Sequence, residues 1–144
     1  MEKDMNILRT ATAALLATAG LGAGLPGIAQ ASAGDYSVRI TVVNDSSHDF
    51  SRSRYRVTEG GWAVRPFANI SAHDSDWFQT ESDDDGGTAG NITFRTSDGG
   101  QFTITWLNPV GAPNEFSCDP SSRLSCDTDI SDNGMNAEVT FTIG

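Results

Sequence analysis

The feature that most constrains this 144-residue chain is a pair of alternating segments joined by a turn. Residues 91–96 (NITFRT) and 101–107 (QFTITWL) alternate apolar with polar side chains, and a period of two residues is the signature of a strand with one buried face. The residues between them, Ser97-Asp98-Gly99-Gly100, include the Asp-Gly and Gly-Gly pairs that tolerate the positive φ of a tight turn. The sequence therefore predicts a β-hairpin whose buried face carries Ile92, Phe94, Phe102, Ile104 and Trp106.

Two further segments alternate in the same way. Residues 36–43 (YSVRITVV) and 136–143 (NAEVTFTI) each bring every second side chain to one apolar face. After residue 33, no useful window repeats apolar residues at the i, i+3, i+4 and i+7 positions of a helix. The sequence therefore predicts an all-β chain in which residues 34–144 form a single antiparallel β-sandwich.

The first 33 residues have the organisation of a secretory signal peptide. Lys3 and Arg9 precede an apolar run from Ala11 to Leu25. The small residues Ala31-Ser32-Ala33 that follow it are typical of a cleavage site. Glycines and Pro26 interrupt the run before the ~20 apolar residues that a transmembrane helix needs. We therefore expect residues 1–33 to be removed and the domain to be secreted.

The formal net charge of the chain is −10, and loss of the leader, with its two bases and two acids, leaves this value unchanged. Such a field repels nucleic acid and anionic membranes. The sequence therefore argues against a nucleic-acid partner, and solubility is the simplest role for the charge.

The only two cysteines are Cys118 and Cys126. In an exported chain an even pair predicts a disulfide. Because the bond would close only a short loop, we expect it to fix a local excursion rather than to hold the fold together.

Residue patterns for catalysis and metal binding are weak. His48 and His73 each precede an aspartate, but neighbours along a strand point to opposite faces and cannot orient one another as a catalytic triad requires. Residues 129–134 (DISDNG) begin as a calcium loop does, but a solvated turn explains the same residues and is the preferred interpretation. The sequence predicts no enzyme activity, no catalytic residue, no metal site and no cofactor, with calcium binding by this loop left open.

The candidate binding residues are aromatic or basic. Trp62 and Trp77 lie beside turns, where an indole can face lipid headgroups, although core packing explains either one equally well. Residues 50–57 (FSRSRYRV) alternate, so three arginines are expected on one strand face, where they could bind phosphate or pair with acids of a neighbouring strand. The predicted lipid-binding set is Trp62, Trp77, Phe78, Arg52, Arg54 and Arg56.

An ordered series of short motifs resembles the aegerolysin-like proteins, particularly the small crystal proteins of bacilli and their secreted actinobacterial relatives. The series covers most of residues 34–144 and consists of VRITVVNDSS in the first strand, Gly61-Trp62 with Pro66, Trp77 with Glu81-Ser82, Gly87-Thr88-Ala89-Gly90, Trp106 to Gly111 with Asn114, and Glu138 to Thr142. Two places depart from the family pattern: Val110 stands where an aromatic residue is common, and Asp83-Asp84-Asp85 replaces a glycine-threonine turn.

The resemblance implies a non-enzymatic β-sandwich that binds a membrane lipid headgroup through aromatic side chains. In some members of that family a larger pore-forming partner protein is recruited, and others act as toxins or haemolysin components. Two other functions stay open on the sequence alone, namely a secreted carbohydrate-binding module, which would use the same tryptophans for stacking, and a structural or developmental extracellular protein.

Overall fold

A computed structural model describes residues 36–83 and 86–144, which form ten β-strands and their connections. The predicted leader, residues 1–33, lies outside these ranges. None of the described segments is a helix that could cross a membrane. The strands are β1 (Ser37–Asn44), β2 (Phe50–Glu59), β3 (Gly61–Val64), β4 (Asn69–Ile70), β5 (Ser75–Glu81), β6 (Thr88–Thr96), β7 (Gln101–Asn108), β8 (Glu115–Pro120), β9 (Cys126–Asp132) and β10 (Asn136–Ile143).

The strands form two five-stranded sheets that pack face to face. Sheet A has the order β3-β5-β1-β10-β9, and sheet B has the order β4-β2-β6-β7-β8. Every strand pair is antiparallel except β1 with β10, which run parallel from Ser37 opposite Asn136 to Asn44 opposite Ile143. The predicted all-β sandwich is confirmed, and this parallel pair at the centre of sheet A is its one departure from antiparallel pairing among the described residues.

The core lies between the sheets and comes from the alternating segments. In the predicted hairpin, β6 pairs with β7 so that Ile92 faces Ile104 and Phe94 faces Phe102. These side chains are at most 1% exposed, and the rings of Phe94 and Phe102 stack at 5.3 Å. Strands β1 and β10 supply the opposite wall with Val38, Ile40, Val42, Val139, Phe141 and Ile143.

The two open sides of the sandwich are closed by different means. On one side the chain passes from β2 in sheet B to β3 in sheet A through the single residue Gly60, which has a φ of +80°. On the other side a disulfide joins Cys118 of β8 in sheet B to Cys126 of β9 in sheet A. The predicted pairing is confirmed, and the bond joins the edge strands of the two sheets.

Replacing both Cys118 and Cys126 with serine should lower the free energy of unfolding by about 2 to 3 kcal/mol, the chain-entropy value for so short a loop. Urea unfolding followed by circular dichroism gives the difference. The oxidised wild type should also show no free thiol after denaturation without reductant. A double variant as stable as the wild type would mean that packing alone holds β8 against β9.

Candidate functional site

The three arginines predicted on one strand face are split between two faces. Strand β2 shifts register against β6 between Arg52 and Arg54, because a β-bulge inserts Ser53. Arg52 pairs with the buried Phe94, whereas Arg54 pairs with Thr93, whose neighbours Ile92 and Phe94 point into the core. Arg52 therefore lies on the inner side of sheet B, and the exposed Arg54 and Arg56 lie on its outer face. The predicted row of three is wrong.

Arg52 helps to hold the loop between β3 and β4. Its guanidinium lies 4.0 Å from the centre of the Tyr55 ring and donates a hydrogen bond to the carbonyl of Pro66. Asp76 holds the same loop from sheet A, where its Oδ2 accepts the backbone N–H of Phe67 at 3.0 Å. Burial raises the pKa of Asp76, and the backbone N–H groups of Phe67 and Trp77 offset part of that effect. Arg52 thus has a structural contact in the fold.

Phe78 belongs to the core. It is 1% exposed, and its ring packs 5.7 Å from that of Trp62 and 5.4 Å from that of Trp106. Trp62 is half-buried in the same cluster, between Tyr55 and Trp106. The prediction that Phe78 contacts membrane is therefore wrong for this fold, since β5 turns Phe78 inward opposite Ile40.

Trp77 points away from that cluster. It pairs with Thr41 on the outer face of sheet A, and the guanidinium of Arg39 lies 4.4 Å from the centre of its ring. Arg54 and Arg56 lie on the outer face of the other sheet. The structure therefore separates the predicted lipid-binding residues: Trp77 on one outer face, two arginines on the opposite one, and the remaining residues at or inside the core.

A cleft at one end of the sandwich is a candidate site among the residues that the structure describes. Its volume is about 360 Å³, within the range of small-ligand sites. It opens between the β7–β8 loop (residues 109–114) and the β9–β10 turn (residues 133–135), with the start of the described chain beside them. The lining residues are Tyr36, Asn108, Pro109, Gly111, Ala112, Pro113, Asn114, Asn133, Gly134 and Met135.

Two asparagines hold the walls of this cleft together. The Nδ2 of Asn108 donates to the carbonyls of Ser37 at 3.0 Å and Met135 at 2.9 Å, which ties the end of β7 to sheet A. The Nδ2 of Asn114 donates to the carbonyls of Asn133 at 3.1 Å and Gly134 at 3.0 Å, which joins the two loops. Because these contacts bridge both sheets, the cleft is built into the fold rather than formed by a free loop.

The rim of the cleft carries exposed apolar side chains. Val110 is 53% exposed on the β7–β8 loop, and Met135 is 42% exposed on the β9–β10 turn. Each lies on a different loop at the same end of the molecule. Single exposed apolar side chains are common on protein surfaces, and what distinguishes these two is that both flank the same polar recess.

The cleft is uncharged in an acidic protein. None of the described residues that line it has an ionisable acid or base apart from the phenol of Tyr36. Three charged residues are next to lining residues in the chain, and all of them are acidic: Asp35, Glu115 and Asp132. Neither a phosphate nor an ammonium group would therefore find an oppositely charged side chain among the described lining residues.

The calcium-like segment, residues 129–134, consists of the end of β9 and the first two residues of the turn beside the cleft. Asp132 Oδ1 accepts the backbone N–H of Gly134 at 2.8 Å, as the solvated-turn interpretation requires. Within residues 36–83 and 86–144, no group of three or more histidine, cysteine, aspartate or glutamate side chains is placed to hold a metal ion.

Two prolines in residues 108–114 predict a loop of restricted conformation. Nothing in the sequence marks this loop as a binding site. What the sequence did not show is that Asn133 to Met135 would lie against it.

Comparison with known proteins identifies the fold and no closer relationship. No family model matches the chain, and no curated protein matches it in sequence. The structure is similar to that of the lipid-binding protein Nakanori, with a TM-score of 0.66 and 14% identity over 76% of this chain and 71% of that one. It is also similar to the RahU protein solved in complex with a TRIS molecule, with a TM-score of 0.61 and 19% identity over 76% of this chain and 94% of that one. The lectin XCL of Xerocomus chrysenteron matches more loosely, with a TM-score of 0.50 and 12% identity over 76% of this chain and 98% of that one.

Proposed function

We infer that this protein is a secreted, non-enzymatic module that binds the surface of a membrane by taking a lipid headgroup into the cleft between residues 109–114 and 133–135. The observation that carries the proposal is the placement of exposed Val110 and Met135 on the rim of an uncharged recess. The rim side chains enter the apolar edge of the bilayer, and the recess accepts the polar group that lies above it.

Charge and fold both support this mode of binding. With a net charge of −10, the protein gains nothing from approaching an anionic bilayer, so its affinity comes from local contacts. A lipid-binding protein shares the fold at a TM-score of 0.66. The motif series also favours membership of the aegerolysin-like proteins. A toxin role and a pore-forming partner are proposed on this resemblance alone.

A variant that carries both Val110→Ser and Met135→Ser should bind neutral liposomes about thirtyfold more weakly than the wild type. Burying an aliphatic side chain fully is worth roughly 1.5 to 3 kcal/mol, and shallow insertion of two such side chains should supply about 2 kcal/mol. Both side chains already face solvent, so the fold should not change. Sedimentation with vesicles of zwitterionic lipid measures the effect.

Phe67→Ser is the matched control. Phe67 is 67% exposed, more than either rim residue, but it lies on the β3–β4 loop and not among the residues that line the cleft. Its loss should leave liposome binding unchanged. If Phe67→Ser abolishes binding and the double rim variant does not, the protein contacts membrane through another surface.

We also propose that Arg54 and Arg56, on the outer face of sheet B, contact a lipid phosphate. They are tested in the same assay by Arg54→Gln with Arg56→Gln, against Arg65→Gln with Arg123→Gln. The two pairs change the net charge equally, and all four side chains are exposed. Weaker binding of the first pair alone would assign phosphate recognition to this face. Trp62→Ala and Trp77→Ala test the predicted tryptophans in parallel.

A carbohydrate-binding module is the second candidate function. The specific observation in its favour is the same uncharged lining, with amide, phenol and backbone groups that suit hydroxyl ligands. A glycan array with soluble protein separates the two, since a module for free sugars would bind there without any lipid.

A further inference from the structure

The chemistry of the cleft selects among headgroups, and the selection rests on the proposed function. A phosphodiester headgroup would meet no cation among the described lining residues. A quaternary or primary ammonium would meet no carboxylate among the same described lining residues. Because most of the lining residues are exposed, a bound group keeps part of its water here. A charged group would lose the rest of its hydration without gaining an ion pair from the described lining residues, so an uncharged polar group is the better occupant.

The groups that do line the cleft suit a ring of hydroxyls. Tyr36 offers a phenol that both donates and accepts, and the side-chain oxygen of Asn114 remains to accept because its Nδ2 is committed to the carbonyls of Asn133 and Gly134. Pro109 and Pro113 add apolar ring surfaces. Sugar rings carry hydroxyls at their edge and C–H groups on their faces, and both kinds of surface find partners here.

We propose that the cleft takes an uncharged glycosyl headgroup, a single hexose on a membrane lipid, while Val110 and Met135 contact the apolar part of the same bilayer. Two weak contacts on one rigid body reinforce each other, because docking of the rim holds the cleft at the headgroup layer. Free hexose therefore binds weakly, and the same hexose displayed on a vesicle binds well.

The test uses the protein without its predicted leader and three kinds of vesicle: phosphatidylcholine alone, phosphatidylcholine with a monohexosyl lipid, and phosphatidylcholine with phosphatidylglycerol. The wild type should bind the hexosyl vesicles at least about tenfold more tightly than the other two, and methyl hexoside in excess should displace it. Tyr36→Ala should remove this preference. The backbone bonds of Tyr36, from its N–H to Ser82 Oγ and from the Ser82 N–H to its carbonyl, do not involve the side chain that is removed.

Tyr55→Ala is the control, since Tyr55 is the other tyrosine of the chain and is 39% exposed beside Trp62. It should keep the preference for hexosyl vesicles. Circular dichroism of both variants shows whether each has kept the fold, and hexoside displacement of the wild type needs no variant at all.

The outcomes separate the two proposals. Equal binding to all three vesicles, weakened by the rim variant, overturns the glycosyl headgroup and leaves membrane binding standing. Tightest binding to the phosphatidylglycerol vesicles overturns it as well. Binding to immobilised hexose but to no vesicle overturns the membrane proposal and supports the sugar ligand. Binding to neither overturns both.

Discussion

Trp106→Ala should lower the free energy of unfolding by about 3 to 5 kcal/mol, the usual cost of removing a fully buried aromatic side chain from a core. Trp106 is 1% exposed and lies between the ring of Phe78 and that of Trp62. A β-carbon built on Gly90 would lie 2.4 Å from the Trp106 ring, so strand β6 fits closely against the indole. The cavity left by alanine has rigid walls on both sheets and cannot collapse cheaply.

Trp62→Ala is the matched control, because the same atoms leave a half-buried position at the edge of the same cluster. Its cost should be clearly smaller. Urea unfolding followed by far-ultraviolet circular dichroism measures both variants without relying on tryptophan fluorescence. Equal losses for the two variants would mean that the edge cluster, rather than the centre of the core, limits stability.

Trp106 also shows how far the sequence predicts this fold. Period-two alternation assigned it to the buried face together with Phe102 and Ile104, and all three are buried. The turn at Ser97 to Gly100 followed from residues that tolerate positive φ, and Gly99 has a φ of +91°. Local patterns were sufficient here because the hairpin pairs residues close in sequence.

Alternation failed where a strand is irregular or where its inward residues are polar. The bulge after Arg52 changes which side chains of β2 face outward, and no residue pattern in FSRSRYRV marks it. In β5 the inward positions include Asp76 and Thr80, which are 9% and 0% exposed. Because these inward residues are polar, the sequence of β5 does not show which of its faces is buried. Phe78 was therefore assigned to the surface with Trp77, although neighbours along a strand must face opposite ways.

The cleft depends on contacts between residues far apart in the chain. The parallel pairing of β1 with β10 brings Ser37 beside Asn136, and Asn108 then reaches the carbonyls of Ser37 and Met135, 71 and 27 residues away. No local pattern specifies a parallel strand pair separated by most of the domain. The sequence predicts that residues 109–114 and 133–135 form loops, but it does not predict that these loops lie against each other.

Gly60 controls the side of the sandwich opposite the disulfide, and Gly60→Ala should cost about 2 to 5 kcal/mol of unfolding free energy. Two effects add. A φ of +80° is unfavourable for a residue with a β-carbon, and a β-carbon at this position would lie 2.1 Å from the carbonyl oxygen of Glu81. That oxygen belongs to the backbone of β5, to which β3 is paired, so relief of the clash must shift the pairing of Gly61 with Glu81.

Gly99→Ala separates the two effects. Gly99 has a similar φ of +91°, but a β-carbon there would meet no atom within 4 Å. Its substitution should therefore cost only the conformational part, about 1 to 2 kcal/mol. The additional loss of unfolding free energy in Gly60→Ala, relative to Gly99→Ala, measures the effect of the close contact between Gly60 and β5. It therefore also measures how much the β2–β3 connection between the sheets contributes to stability. Equal losses at the two glycines, measured by urea unfolding, would show that β5 moves aside without cost and that the crossing is not tightly packed.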